Sequence, residues 1–430
     1  MEPSHQDDEL DRLLRRSGPM NLERAHEVMA QFDLEGLVLG DPLNVFHALG
    51  YWPHISVTRA GQPPSSFALL SRRPGSAPGF VTTRFIHYYT FADGRFEREL
   101  ETWLYEEAGD ANDESPVADW DMFPDRGLAP LTEVEERRRT ALRGVPLERR
   151  TLRDAGAALV RAMQGMGLWQ GRVAFDHPVI AAVCERHGHP GTMVAGDNIL
   201  RAIRLVKSPL EIRLMRRASE ANIAAVHAVI AQLRAGASYA EVRRAFDLEA
   251  AQRGNRAVFL TVDRVSSELS DERIRDGQTL FIDGVSQFRR YHGDYARTVF
   301  VGEPVPAAKR AAAAMAHGWQ AVREQLRPGL RYSEIVRLGR EALRHGGFVD
   351  AAIGFGPHSV GLAHTDEPCE DAGGFYRKSD LVLQENMILS VDCPVLATGI
   401  GGSAHMEDLM LITARGAEPI HDLSDAVVQV

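Results

Sequence analysis

Cysteine is scarce in this chain: Cys184, Cys369 and Cys393 are the only three in 430 residues, and no two are spaced as CxxC. That excludes a disulfide framework and a thiolate zinc ribbon, so any metal must be held by oxygen and imidazole. No run of 18 uncharged apolar residues occurs, and the opening MEPSHQDDELDRLLRRSGPM lacks an apolar core, so neither a membrane span nor a signal peptide is expected. Dense Lys/Arg runs are missing as well. With 49 basic against 59 acidic side chains the net charge is -10, which argues against a phosphate-tracking surface for nucleic acid. The expected location is the cytoplasm.

What remains is an ordinary globular composition, 44% hydrophobic and 25% charged, in a chain too long for one core. Two domains are expected, residues 1–202 and 203–430. In the first, a helical stretch at 21–33, the apolar runs Gly36–Gly40 and Ser66–Ser71, a helix capped by Thr151 and ending near Gly167, a strand Arg172–Asp176 and a helix Pro178–Gly188 read as α/β. The stretch Trp103–Pro146 reads as loops with one amphipathic helix. In the second, Ser208-Pro-Leu-Glu211 and Ser238-Tyr-Ala-Glu241 are capping boxes that open two helices, closed by Gly236 and Gly254. Strands are expected at 257–262, 279–285, 294–301, 387–393 and 407–413, and two more helices at 307–326 and 333–345.

The chemistry sits at the edges of those C-terminal strands. Asp283 follows the apolar Leu280-Phe-Ile and Asp294 comes eleven residues later, a spacing at which a hairpin could place two carboxylates side by side. Then come Gly-Pro-His358-Ser-Val-Gly, Leu-Ser-Val-Asp392 and His405-Met-Glu407-Asp408. Four carboxylates and an imidazole converging on one sheet cannot all stay ionised without a cation. Oxygen-rich donors with one histidine suit Mn, Fe, Co or Zn, as one or two ions.

This order of residues resembles the pita-bread metallopeptidases, the family of methionine and Xaa-Pro aminopeptidases, prolidase and creatinase. Arg204-Leu-Val-Lys-Ser-Pro-Leu-Glu-Ile is similar to the linker into their catalytic domain, and Gly40-Asp-Pro-Leu-Asn-Val-Phe-His-Ala-Leu-Gly50 to their creatinase-like N-terminal domain. The resemblance implies an α/β creatinase-like N-terminal domain and an α+β pita-bread domain with a curved, mainly antiparallel sheet. It makes Asp283, Asp294, His358, Asp392 and Glu407 the metal ligands, Asp294 and Glu407 bridging. It also implies a homodimer, in which Tyr51, Trp52 and Trp120 are candidates to reach a partner's site, although packing within the chain is the commoner fate of such residues.

Four positions depart from the pattern. Asp392 stands where the family has glutamate, and no histidine occurs between Gly254 and Ile282, where peptidases keep one. Seven residues after His358 the expected second histidine is Thr365, with His364 one position early, and His405 replaces an arginine two residues before Glu407. Those histidines hold the substrate carbonyl and the oxyanion in peptidases. The catalytic set expected here is therefore His364, His405 and Glu407. His292, Tyr291 and Arg297 are further polar candidates, with pairing of Arg297 to a carboxylate as the bland alternative. Gly399-Ile-Gly-Gly-Ser403 reads as a wide hairpin rather than a phosphate loop. The leading expectation is a hydrolase of the Xaa-Pro peptidase type acting on a peptide or small amide. The alternative is a lyase or hydrolase of a small zwitterionic metabolite, similar to the pita-bread dimethylsulfoniopropionate lyase. A non-catalytic binding module comes third, because a binding domain has no need of clustered carboxylates.

Overall fold

A computed structural model describes residues 5–59, 61–106, 122–348, 355–371, 376–421, 423 and 425–430. The chain divides into two compact units, one ending at Ile203 and the other beginning at Arg204. None of the described helices is long and apolar enough to cross a membrane.

The first unit is built on β1 (Gly36–Leu39), β2 (Ser66–Ser71), β3 (Gly79–Thr83), β4 (Glu101–Tyr105), β5 (Arg172–Phe175) and β6 (Thr192–Ala195). Among the described residues they form one mixed sheet in the order β4-β3-β2-β1-β5-β6. β1 is apolar throughout because both faces are covered. Leu37 and Leu39 enter one core with helices Leu22–Gln31 and Pro42–Leu49, while Val38 enters the other with helix Ala155–Gly165. The Gly40–Gly50 segment is a capped helix: Asp41 accepts from the Leu43 amide, Pro42 takes the first turn, and Gly50 closes it at φ 77°. The Asp176 carboxylate locks its entry, accepting from the Gly40 and Asp41 amides at 2.7 and 3.1 Å. Tyr51 is buried in the core, its hydroxyl 2.7 Å from Thr90 Oγ1, and Trp52 lies edge-on to Phe46. Trp120 and part of the Trp103–Pro146 stretch lie outside the described residues. The cap near 151 is corrected: Asp154, not Thr151, accepts from the Ala157 amide and starts the helix, while Thr151 ends the short helix Leu147–Arg150.

In the second unit the capping boxes form as read, opening helices Pro209–Ile230 and Tyr239–Gln252. The first of these stops at Ile230, and Gly236 lies beyond it in a turn at φ 87°. The strands are β7 (Arg256–Val262), β8 (Thr279–Phe288), β9 (Tyr291–Phe300), β10 (Gly356–Ser359), β11 (Cys369–Asp371), β12 (Tyr376–Lys378), β13 (Ile388–Asp392), β14 (Met410–Thr413), β15 (Gly416–Pro419) and β16 (Val427–Gln429). Among the described residues these form two four-stranded sheets, β16-β9-β8-β7 and β10-β13-β14-β15, and a two-stranded β11-β12 ribbon, all antiparallel except for the β16/β9 pair. Bridges Ala296–Glu407 and Thr279–Gly402 stitch the two four-stranded sheets together. Helices Pro209–Ile230 and Tyr239–Gln252 share a core with the first sheet, and Pro306–Arg323 and Tyr332–His345 with the second.

Candidate metal centre

The β8/β9 hairpin turns on two residues, Arg289 and Arg290, both at positive φ, so β9 begins at Tyr291, three residues before the expected start. In the resulting register Asp283 faces Ala296 and Asp294 faces Val285. The two aspartates are therefore diagonal neighbours on one face, not directly opposed. The other face packs on helix Pro209–Ile230, which comes so close that a Cβ at Gly293 would lie 2.9 Å from Ala218 O, and one at Gly284 2.6 Å from Val226 Cγ2. Close packing behind the hairpin thus presents both carboxylates to the opposite side.

The second sheet brings the remaining donors. His358 on β10 pairs with Ser390 on β13, and Asp392 follows two residues on, hence on the same side as Ser390. Glu407 precedes β14 rather than lying in it, contrary to the expected strand at 407–413, and is held by its bridge to Ala296. His358 Nε2 lies 3.1 Å from Glu407 Oε1, 3.7 Å from Asp294 Oδ2 and 3.8 Å from Asp392 Oδ2. Among the described residues, three groups each have one ligand atom per residue within 4.8 Å of one another: Asp294/His358/His364, Asp283/His405/Glu407 and His358/Asp392/Glu407.

Electrostatics mark this as a strained cluster of acids. Burial, and then the charge of Glu407, raise Asp283, Asp294 and Asp392 above the ordinary carboxylate range. Burial alone would raise Glu407 too, but the imidazoles of His358 and His405 outweigh it and hold that carboxyl well below the ordinary range. Burial opposes charge on His358 and His405, yet Glu407 and its neighbours push them up to about 10 and about 9. Both Asp294 oxygens and Asp283 Oδ1 are buried without a hydrogen bond of ordinary geometry. Buried acceptors in that condition are costly, and a divalent cation is the partner that fits four carboxylates and an imidazole.

The polar candidates divide. His364 and His405 join the cluster: His364 Nε2 is 3.2 Å from Asp294 Oδ2, and His405 Nε2 is 3.6 Å from Asp392 Oδ1 and 3.7 Å from Glu407 Oε2. Arg297 stays out of it, pairing with buried Asp408 at 2.6 Å while donating to the Glu407 carbonyl at 3.1 Å. Tyr291 donates to Glu211 Oε1 at 3.1 Å. His292 backs the His364 loop, its amide donating to Gly361 O at 3.0 Å. The 399–403 segment is spanned by the antiparallel bridge Val395–Ala404, and Gly402 lies so close to Thr279 that a Cβ would sit 1.7 Å from its carbonyl oxygen.

Several contributors escaped the sequence reading. Ser390 donates to Glu407 Oε1 at 2.5 Å, and the only sequence signal is its place two residues before Asp392 on one strand face. Trp319 Nε1 donates to Asp408 Oδ2 at 3.0 Å. The Arg204-Leu-Val-Lys207 segment staples the loop after His358: Arg204 Nε donates to Asp366 Oδ1 at 2.8 Å, and Lys207 Nζ to Ser359 Oγ at 3.5 Å.

Residues 213–414 match the model of metallopeptidase family M24. The chain is 26% identical over 232 residues to the Xaa-Pro dipeptidase of Pyrococcus furiosus, covering 52% of this chain and 64% of that one. It is 26% identical over 246 residues to the probable dipeptidase PepE of Mycobacterium tuberculosis, covering 55% and 64%. The match thus spans just under two thirds of these relatives' length. Among solved structures, the prolidase from Pyrococcus horikoshii superposes with TM-score 0.64 at 17% identity, over 95% of this chain and 99% of that one. A dipeptidase from the same organism gives 0.69 at 13% identity, over 96% and 100%. At such identities the likeness to solved structures is one of fold: an α/β N-terminal unit followed by the α+β pita-bread domain.

Proposed function

Residues 213–414 belong to metallopeptidase family M24, and from that premise we propose that the chain is a metal-dependent hydrolase of short peptides or small amides, of the Xaa-Pro peptidase type. The carrying observation is the convergence of Asp283, Asp294, His358, Asp392 and Glu407 in overlapping donor groups with orphaned, buried carboxylate oxygens. These five residues would hold one or two divalent ions. When bound, the metal supplies Lewis-acid polarisation of the substrate carbonyl and a water acidic enough to attack it near neutral pH.

The rest falls to the chain's own groups. Asp392 is the acid on the accessible side, its side chain 46% exposed against 2% for Glu407. As the accessible member of the ligand set, it is the carboxylate placed to help move a proton between water and the departing nitrogen. Glu407, fixed by Ser390 and by its bridge to Ala296, stays an anionic anchor.

The test is a screen of the wild-type protein over Xaa-Pro dipeptides, other dipeptides, longer Xaa-Pro peptides and small zwitterions, with and without chelator. Metal-dependent hydrolysis of a short peptide or amide is expected. Because position 365 is Thr and no histidine occurs between Gly254 and Ile282, turnover of Xaa-Pro substrates is expected below about 10 s⁻¹, the enzyme median. Elimination from a zwitterion with no hydrolysis of any peptide would contradict the reading.

A further inference from the structure

Two of the three donor groups share no member: Asp294/His358/His364 and Asp283/His405/Glu407. Donors about 2.1 Å from one ion stand at most about 4.2 Å apart, so groups within 4.8 Å need only small side-chain shifts to close on a cation. The third group, His358/Asp392/Glu407, takes one residue from each of the others and adds Asp392.

Resting on the metal-centre reading above, we infer that His364 and His405 are themselves metal ligands, one completing each position, in place of the catalytic roles their sequence neighbourhood suggested. The centre then offers three imidazoles among seven donors, where the resemblance implied one among five.

The surroundings of each ring support this. His364 sits on a loop held at both ends of its turn: Asp366 Oδ2 accepts from the Leu362 amide at 3.1 Å and Asp366 Oδ1 from Arg204 at 2.8 Å, while Gly361 O accepts from His292. Thr365 Oγ1 lies 3.4 Å from His364 Nδ1. Whichever of the two donates, that contact occupies Nδ1 and leaves Nε2, 3.2 Å from Asp294 Oδ2, as the ring nitrogen turned toward the centre. The Thr at 365 thus becomes the partner of the histidine beside it. His405 is buried edge-on to Phe281, with Nε2 directed at Asp392 and Glu407. Around Asp294 the donor set is two imidazoles and one carboxylate, the set of His₂Glu zinc enzymes and of non-haem iron sites, whereas manganese favours carboxylate and water. The consequence is a centre that discriminates against manganese more strongly than one built from carboxylates with a single histidine.

Chelator-stripped wild-type, His364→Gln, His405→Gln and His405→Arg proteins are reloaded from an equimolar mixture of Mn²⁺, Co²⁺ and Zn²⁺, and bound metal is quantified alongside the visible spectrum of the Co²⁺ form. The His405→Arg variant carries the side chain that peptidases have there, and circular dichroism checks the fold of each. Loss of a hydrogen-bond partner of a ligand costs about 10- to 100-fold in affinity. Loss of a ligand itself is therefore expected to lower Zn²⁺ affinity at least tenfold in every folded variant, to lower the Zn:Mn ratio because imidazole favours Zn²⁺ over Mn²⁺, and to change the Co²⁺ spectrum. Variants that load metal with wild-type selectivity and spectrum would overturn the inference and leave the hydrolase reading intact. A wild-type protein that takes up no divalent metal would overturn both.

Discussion

The Ser390 hydroxyl donates to Glu407 Oε1 at 2.5 Å, and the same oxygen lies 3.1 Å from His358 Nε2. One carboxylate oxygen thus ties β13 to β10 across the centre, and its orientation depends on a residue that would not itself touch an ion. Ser390→Ala is expected to fold, at a cost of about 1 kcal/mol for one hydrogen bond. Metal affinity is expected to fall about 10- to 100-fold. A chelator-competition titration measures it, and unchanged affinity would mean that Glu407 is held by its backbone alone.

Behind the centre, Arg297 and Asp408 form a fully buried ion pair at 2.6 Å, with Trp319 on the second Asp408 oxygen and the guanidinium stacked 4.0 Å from the Tyr295 ring centroid. Arg297→Met leaves Asp408 buried without its counter-charge, so a loss of about 3–5 kcal/mol is expected in denaturant unfolding. A loss under about 1 kcal/mol would show that solvent or a neighbour compensates.

In the N-terminal unit His87 is buried against Phe91, its Nδ1 without a partner, and burial holds its pKa down to about 4. The folded state therefore refuses a proton that the unfolded chain accepts from about pH 6.5 downward. Its stability is complete above that value and declines as pH falls toward 4. His87→Phe should reduce the stability lost between pH 7.5 and pH 5 by roughly 2 kcal/mol, at about 1.4 kcal/mol per pH unit. Equal losses in the two proteins would show that His87 is hydrated in the folded state.

Local signals were the legible ones. Both Ser-x-x-Glu capping boxes form because each bond spans three residues, and the apolar runs of β1, β2 and β8 fix strands by composition alone. The β9 start was missed because Arg289 and Arg290 adopt positive φ without the Gly or Asn that advertises such a turn. Thr151 and Asp154 are both good caps, and only the bond to the Ala157 amide decides between them. The ligand candidates were readable as acids and histidines at strand edges, but what orients them lies far off in sequence: Ser390 to Glu407 spans 17 residues, Arg297 to Asp408 111, and Arg204 to Asp366 162. The diagonal placement of Asp283 and Asp294 follows from the two-residue turn and so was hidden with it.

The central claim is that this cluster exists to hold divalent metal, and Asp294, buried with both oxygens lacking hydrogen bonds, bears most directly on it. Metal analysis of wild-type and Asp294→Ala proteins purified without chelator is the decisive measurement. The account predicts one or two divalent transition-metal ions per wild-type chain and loss of metal and of hydrolysis together in a folded variant. Full metal occupancy in Asp294→Ala, or a wild-type chain free of metal after exposure to Mn²⁺, Co²⁺, Fe²⁺ and Zn²⁺, would contradict it.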